Sequence, residues 1–318
     1  MHRRTLLAAA AATVAAPAIA QGWPTRTIRI IVPFGAGGPA DIYARYLAER
    51  LTGALGQSLV VENRPGAGAM VGTDAAAKAG GDGYTLLMMS NTHTANETLM
   101  PNRPYVLMRE FVPIVPVNVA NHALVAKTGL AASVGELIAK AKAAPGTLNY
   151  ASSGPGTPYH IAGAAFCHKA DIRVEHIPFR GSGEARTAII AGQVDFMFDS
   201  ITTQIENIRS GRVVGLATSG LRRNTLLPDL PTVSEAGVPG YTSSIWLGLM
   251  APTGTPAAVV ERINAEVLKV TTSPETEALW RRQAVEAMRM TPAEFGEFLQ
   301  KDIAEQAEII RAANIRAS

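Results

Sequence analysis

Short apolar runs recur along this chain, and most are followed by a stretch with the spacing of an amphipathic helix. Ile28–Phe34, Leu59–Glu62, Thr85–Met89, Ala123–Lys127, Asn149–Ala151, Val174–Pro178, Val194–Phe198 and Val213–Ser219 read as strands. Helical patterns fall between them, at Ala40–Leu55, Gly68–Ala79, Val134–Ala143 and Gly183–Ala191. This alternation predicts an α/β protein with largely parallel sheets. The tail reads as helical, with one helix over Ala257–Val270 and a last one striped by Phe295, Leu299, Ile303, Ile309 and Ile310. Phe111–Lys127 and Val213–Ser219 are extended, mostly apolar and close to a change of region, so they read as two crossings between lobes. Lobe one is then discontinuous, 21–121 plus 222–318, and lobe two is 122–221.

The first twenty residues stand outside this pattern. Arg3 and Arg4 precede an Ala-, Leu- and Val-rich run that ends in Ala18-Ile19-Ala20, which reads as a cleavable signal peptide cut near Ala20. The run is too short and too rich in Ala for a transmembrane anchor. General secretion is the expected route, with the paired arginines leaving twin-arginine export as the alternative. The chain is thus expected in the periplasm. Its formal charge of +3 falls to +1 without Arg3 and Arg4, and no basic cluster remains, which argues against nucleic acid and anionic membranes as partners. Cys167 is the single cysteine, so the fold depends on its core and not on an intrachain disulfide. A monomer is expected.

Two segments share one design. Thr27–Asp41 runs from an apolar strand into Gly35-Ala36-Gly37-Gly38-Pro39-Ala40-Asp41, and Leu148–His160 runs into Ser152-Ser153-Gly154-Pro155-Gly156-Thr157-Pro158. Each is a strand, a Gly/Pro turn and a helix start. Helix starts present unpaired N–H groups and the positive end of the macrodipole, so each turn is a candidate anion site. Two of them on two lobes point to one shared carboxylate ligand. Phe34, Gly35, Ala36, Gly37, Gly38 and Ala40 are candidates in the first loop; Asp41 there either braces the loop or reaches the ligand. In the second loop at least one of Ser152, Ser153 and Thr157 is expected to touch ligand, beside Gly156 and Pro158. His160, in a first helical turn, is expected to be neutral and either packs or contacts ligand. Arg180, in I-P-F-R-G-S-G-E-A, is either a surface charge or the cation of the cleft.

Other chemistries have less support. Gly35-x-Gly37-x-x-Ala40 matches a dinucleotide fingerprint, with Glu62 about twenty residues on, which leaves an exported oxidoreductase as a rival reading. There is no G-K-[ST] phosphate loop and no G-x-S-x-G elbow, so no enzyme is expected. His160, Cys167 and His168 lack the spacing of a metal site. No metal and no cofactor are expected.

Taken in order, the motifs resemble the periplasmic receptors of tripartite tricarboxylate transporters, the Bug family. They are I-R-I-I-V-P-F-G-A-G-G-P-A-D, L-G-Q-S-L-V-V-E-N-R-P-G-A-G, D-G-Y-T-L-L, L-N-Y-A-S-S-G-P-G-T-P-Y-H, H-I-P-F-R-G-S-G-E-A, A-G-Q-V-D-F-M-F-D-S, L-P-T-V-S-E-A-G-V-P-G-Y and L-M-A-P-T-G-T-P. The resemblance implies a two-lobe Venus-flytrap fold of the type II periplasmic binding class, a small organic carboxylate as ligand and a membrane permease as partner. Carried over, its ligand contacts fall on Phe34–Asp41 and Ser152–His160. Asp199-Ser200 stands where the family has F-D-N, which nominates Asp199. The loop Ser90–Thr94 is more polar than the resemblance leads one to expect, which nominates Asn91, Thr92 and His93 as readers of the ligand's distal end. A sensor delivering ligand occupancy to a signalling receptor is the alternative within the same fold.

Overall fold

A computed structural model of the chain describes residues 22–316. The leader and its cleavage point lie outside the described residues. The first lobe starts with β1 (Ile28–Val32), α1 (Pro39–Leu55), β2 (Leu59–Asn63), α2 (Met70–Ala77), β3 (Thr85–Ser90), α3 (Asn91–Leu99) and α4 (Leu107–Glu110). A long strand, β4 (Phe111–Ala126), leads into α5 (Val134–Ala143), β5 (Asn149–Ser152), α6 (Pro158–Lys169), β6 (Glu175–Pro178), α7 (Ser182–Ile190), β7 (Phe196–Ser200), α8 (Ile201–Arg209) and β8 (Val214–Thr218). The chain returns through β9 (Ser244–Pro252), α9 (Ala257–Thr271), α10 (Pro274–Arg281), β10 (Val285–Ala287) and α11 (Pro292–Ala312).

The strands run β2-β1-β3-β9-β4-β7-β5-β6, with β8 and β10 also paired to β4. β1, β2 and β3 are parallel, as are β5, β6 and β7. β4 joins the halves by pairing with β9 over Phe111–Asn121 and with β7 over His122–Ala126. Asn121–His122 is therefore where the chain passes between lobes. Along β1, Ile28, Ile30 and Val32 enter one core cluster while Ile31 enters another across the sheet. A strand with both faces covered reads as a continuous apolar run, which is why β1 was so legible.

Three expectations need correction. The second crossing is not at Val213–Ser219: β8 pairs with β4 inside lobe two, and the chain leaves that lobe only near Ser243. Residues 222–241 pack with lobe two because Leu227, Val233, Val238 and Tyr241 are buried in its cores. The Tyr241 hydroxyl also donates to the Ala162 carbonyl at 2.8 Å. The boundary set at 221/222 thus moves to about 243. The tail is not wholly helical either, since β9 is a central strand. Gly248 interrupts its apolar pattern, and a β-carbon there would stand 2.5 Å from the Phe295 ring. On α11, Ile309 is 38% exposed, and the buried face runs instead through Asp302, Gln306 and Ile310.

Candidate functional site

Four helices begin at one small chamber between the lobes. It is lined by Phe34, Gly35, Gly38, Pro39 and Ala40 at the start of α1, and by Ser90 at the start of α3. Ser153, Pro158 and Tyr159 at α6 and Gly181 and Ser182 at α7 close it from lobe two, with Ile245 and Leu247 as its floor. Its volume is about 30 Å³, which is room for two water-sized atoms, or the two oxygens of a carboxylate. The loops from opposite lobes nearly touch. A β-carbon on Gly38 would meet Ser182 Oγ at 3.0 Å, and one on Gly181 would meet Gly35 Cα at 3.3 Å.

The four helix starts differ in how they satisfy their own N–H groups. In α3, Ser90 Oγ accepts from Thr92 N–H at 3.2 Å, and His93 Nδ1 accepts from Ser90 N–H at 3.2 Å. In α6, Thr157 Oγ1 accepts from His160 N–H at 3.4 Å, and His160 Nδ1 accepts from Gly156 N–H at 3.1 Å. α1 and α7 start at Gly38 and Gly181 with no side-chain cap. Their free N–H groups and dipoles meet in the chamber from opposite sides.

Several nominated side chains face away from it. Asp41 Oδ2 accepts from Gly37 N–H at 3.0 Å and Oδ1 from Arg45 Nε at 2.9 Å. Burial opposes ionisation of Asp41, but these bonds outweigh it and keep its carboxyl below the usual range. Asp41 thereby holds Gly37 at φ +75°, a left-handed turn suited to glycine. Ser152 Oγ is occupied by the Gly154 backbone and by His176 Nε2 at 2.7 Å. Thr157 Oγ1 also donates to Gly154 O at 2.7 Å. Ser153 is thus the hydroxyl of the three that lines the chamber.

A wider chamber of about 570 Å³ opens outward from the first, and Phe34 and Ser153 line both. Its walls are Pro33, Gly66–Met70, Met100, Ser153–Pro155, Thr157 and Pro178–Arg180, with Glu184 at the rim. The 66–69 turn is strained, as Ala67 and Ala69 sit at φ +47° and +74°. Asn96 Nδ2 pins it by donating to Gly68 O at 2.8 Å. Arg180 is exposed there, and its N–H donates to Glu184 Oε2 at 3.3 Å.

The profile of the tripartite tricarboxylate transporter family receptor matches residues 43–315. The chain belongs to that receptor family. BugT of Bordetella pertussis is 35% identical over 305 residues, spanning 95% of this chain and 94% of its own. A UPF0065 protein from the tcbD-tcbE intergenic region of Pseudomonas sp. strain P51 is 38% identical over 279 residues, 86% of this chain and 83% of that one. Among solved structures, an R. palustris protein with adipate superposes at TM-score 0.89 with 29% identity, covering 92% of this chain and 99% of that one. MatC from Rhodopseudomonas palustris with bound malate gives 0.86 and 28%, over 90% and 99%. The periplasmic binding protein BugD gives 0.88 and 30%, over 92% and 99%. BugD is a periplasmic binding protein, and the fold of this chain is the two-lobe α/β type of these solved relatives.

Asn91, Thr92, His93, His160 and Asp199 lie outside the inner chamber's lining. Ser90–Thr94, expected as a polar loop, is instead the strand end and first turn of α3. Asn91 Nδ2 donates to Ser244 O at 2.9 Å, and Thr92 is buried. His93 is fully buried with Thr73 Oγ1 at 3.0 Å from its Nε2, and its ring meets Phe34 edge-on at 6.0 Å. It backs the residue that divides the two chambers. Burial pushes its pKa down to about 4. His160 falls to about 3 through burial and the stacked His176 ring, centroids 4.0 Å apart. Asp199 lines neither chamber. Its carboxylate accepts from Arg186 Nε, Ser200 N–H, Thr203 Oγ1 and Gln204 Nε2, while burial raises its pKa. Glu62, the ribose-binding acid of the dinucleotide reading, is held by Arg64 at 2.6 Å and Arg29 at 3.4 Å. Gly181 and Ser182 went unnominated in the sequence. Their signal was present, because I-P-F-R-G-S-G repeats the strand, glycine turn and helix start of the other two loops.

Proposed function

We propose that this chain is an exported receptor that closes over a small organic carboxylate and hands it to its tripartite tricarboxylate-type permease. One observation carries the reading: the uncapped starts of α1 and α7, one from each lobe, face a chamber of carboxylate size. A carboxylate there accepts charge-assisted N–H bonds from both lobes, each contributing roughly 1.5–3 kcal/mol. Ser153 and Ser182 add hydroxyls at its edge. Relatives solved with adipate and malate support the ligand class.

Because the two sets of donors belong to different lobes, the ligand stabilises the closed arrangement in which both reach it. Tyr159 follows the same logic. It sits on α6 of lobe two yet is buried in the first lobe's core, its ring 5.2 Å from that of His122 on the crossing strand. Opening the cleft exposes it. Delivery then requires a partner that lowers the stability of the closed form.

Calorimetric titration of the purified receptor against a panel of organic acids tests this. A carboxylate should bind with one-to-one stoichiometry, and its amide analogue should not. Equal binding of acid and amide would contradict the reading.

A further inference from the structure

The two chambers differ in chemistry, and the difference selects the body of the ligand as well as its head. The inner chamber lies at the uncapped starts of α1 and α7 and has room for little beyond a carboxylate. The outer one is nineteen times larger in the same measure, about 570 against about 30 Å³, and its side chains are mostly apolar. Pro33, Phe34, Met70, Met100 and Phe179 form its walls. Thr157 is the one hydroxyl there besides Ser153 at the junction, and it is consumed by its own loop. The charged groups at this chamber are Arg180 and Glu184, both exposed at its rim. The side chains along the middle of a ligand therefore offer a hydroxyl or carboxyl no hydrogen bond, and such a group gives up water for only what the loop backbone returns. Methionines adapt their shape to apolar bodies of varied outline.

We propose that the preferred ligand is a carboxylate with an unsubstituted apolar body, its head between α1 and α7 and its body along Met70 and Met100. A second carboxylate at the far end is read by Arg180 alone. This rests on the carboxylate reading above and narrows it, placing short hydroxylated acids among the poor ligands.

The test is a calorimetric series of succinate, glutarate, pimelate and suberate, with malate, citrate and heptanoate alongside. Affinity should rise roughly threefold to fourfold per added methylene until the chamber is filled. Pimelate should exceed malate and citrate by about tenfold or more. Met100→Gln, or Met70→Gln as a second variant, should flatten the length dependence, weakening suberate and pimelate more than succinate. Arg180→Gln should weaken pimelate by less than about fivefold and leave heptanoate unchanged, as for an exposed ion pair. A series led by malate or citrate, or one with no length dependence, overturns the apolar-body reading and leaves the carboxylate head standing. No binding by any acid overturns both.

Discussion

The capped and uncapped helix starts around the inner chamber make an informative contrast. α3 and α6 each carry a hydroxyl cap, Ser90 or Thr157, and a buried histidine three residues later whose Nδ1 accepts a loop N–H. α1 and α7 carry glycine at the cap; their first-turn carboxylates, Asp41 and Glu184, reach back only to the N–H groups of Gly37 and Arg180 before the cap, and no cap side chain takes a first-turn N–H. Ser152 and Thr157 thus serve the rigidity of their own loop, and the glycine loops leave N–H groups at the inner chamber. A residue type with good donors is not a binding residue when its donors are already used.

The largest way to break this contrast is acid. His93 and His160 stay neutral in the folded protein, with pKa values near 4 and 3, against an ordinary 6.5. Below pH 6.5 the unfolded chain takes up their protons and the folded one does not, so stability is full above that pH and falls beneath it. Each costs about 1.4 kcal/mol per pH unit, or about 4 kcal/mol for the pair at pH 5. Urea unfolding at pH 7 and pH 5 reads this together with the same contribution from His122 and His176, which burial depresses likewise, and His160→Gln should reduce the slope by its own share. A midpoint that does not move would contradict the buried neutral pair.

Next comes conversion of one class into the other. Gly38→Asp gives α1 a cap of its own and puts a negative charge where the ligand's head belongs. Affinity should fall by about 3 kcal/mol or more, over a hundredfold, while the fold gains up to about 1 kcal/mol. Parallel losses of binding and stability would mean that the substitution only breaks the loop at its 3.0 Å approach to Ser182.

The smallest pair sharpens the distinction inside one loop. Thr157→Ala should cost about 1 kcal/mol of stability and little affinity. Ser153→Ala should do the reverse, losing about 1 kcal/mol of binding with an unchanged melting curve. If the two variants behave alike, the assignment of Ser153 to the ligand and Thr157 to the cap fails.

Much of this was legible in the sequence, and the reasons for the rest are local. β1 and its G-A-G-G-P-A-D turn announced themselves because a doubly buried strand and a proline-started helix leave strong patterns. β9 did not, because Gly248 stands in its middle to admit Phe295. The 222–241 segment has no regular period; its attachment to lobe two depends on long-range burial of Val233, Val238 and Tyr241. In the site, residue type suggested donors, but only geometry separates Ser153 from Ser152 and Thr157. His93 looked like a specificity residue through its polarity, and the fold buries it behind Phe34.

The central claim is that one carboxylate caps α1 and α7 together. Amide hydrogen exchange, with and without a saturating acid, reads those N–H groups directly. New protection is expected at Gly38, Ala40 and Asp41 in one lobe and at Ser182, Gly183 and Glu184 in the other, appearing at the same ligand concentration. Thr92 and His160, already bonded to their caps, should change little. Protection confined to one lobe, or centred on the start of α6 with α7 unchanged, would contradict it.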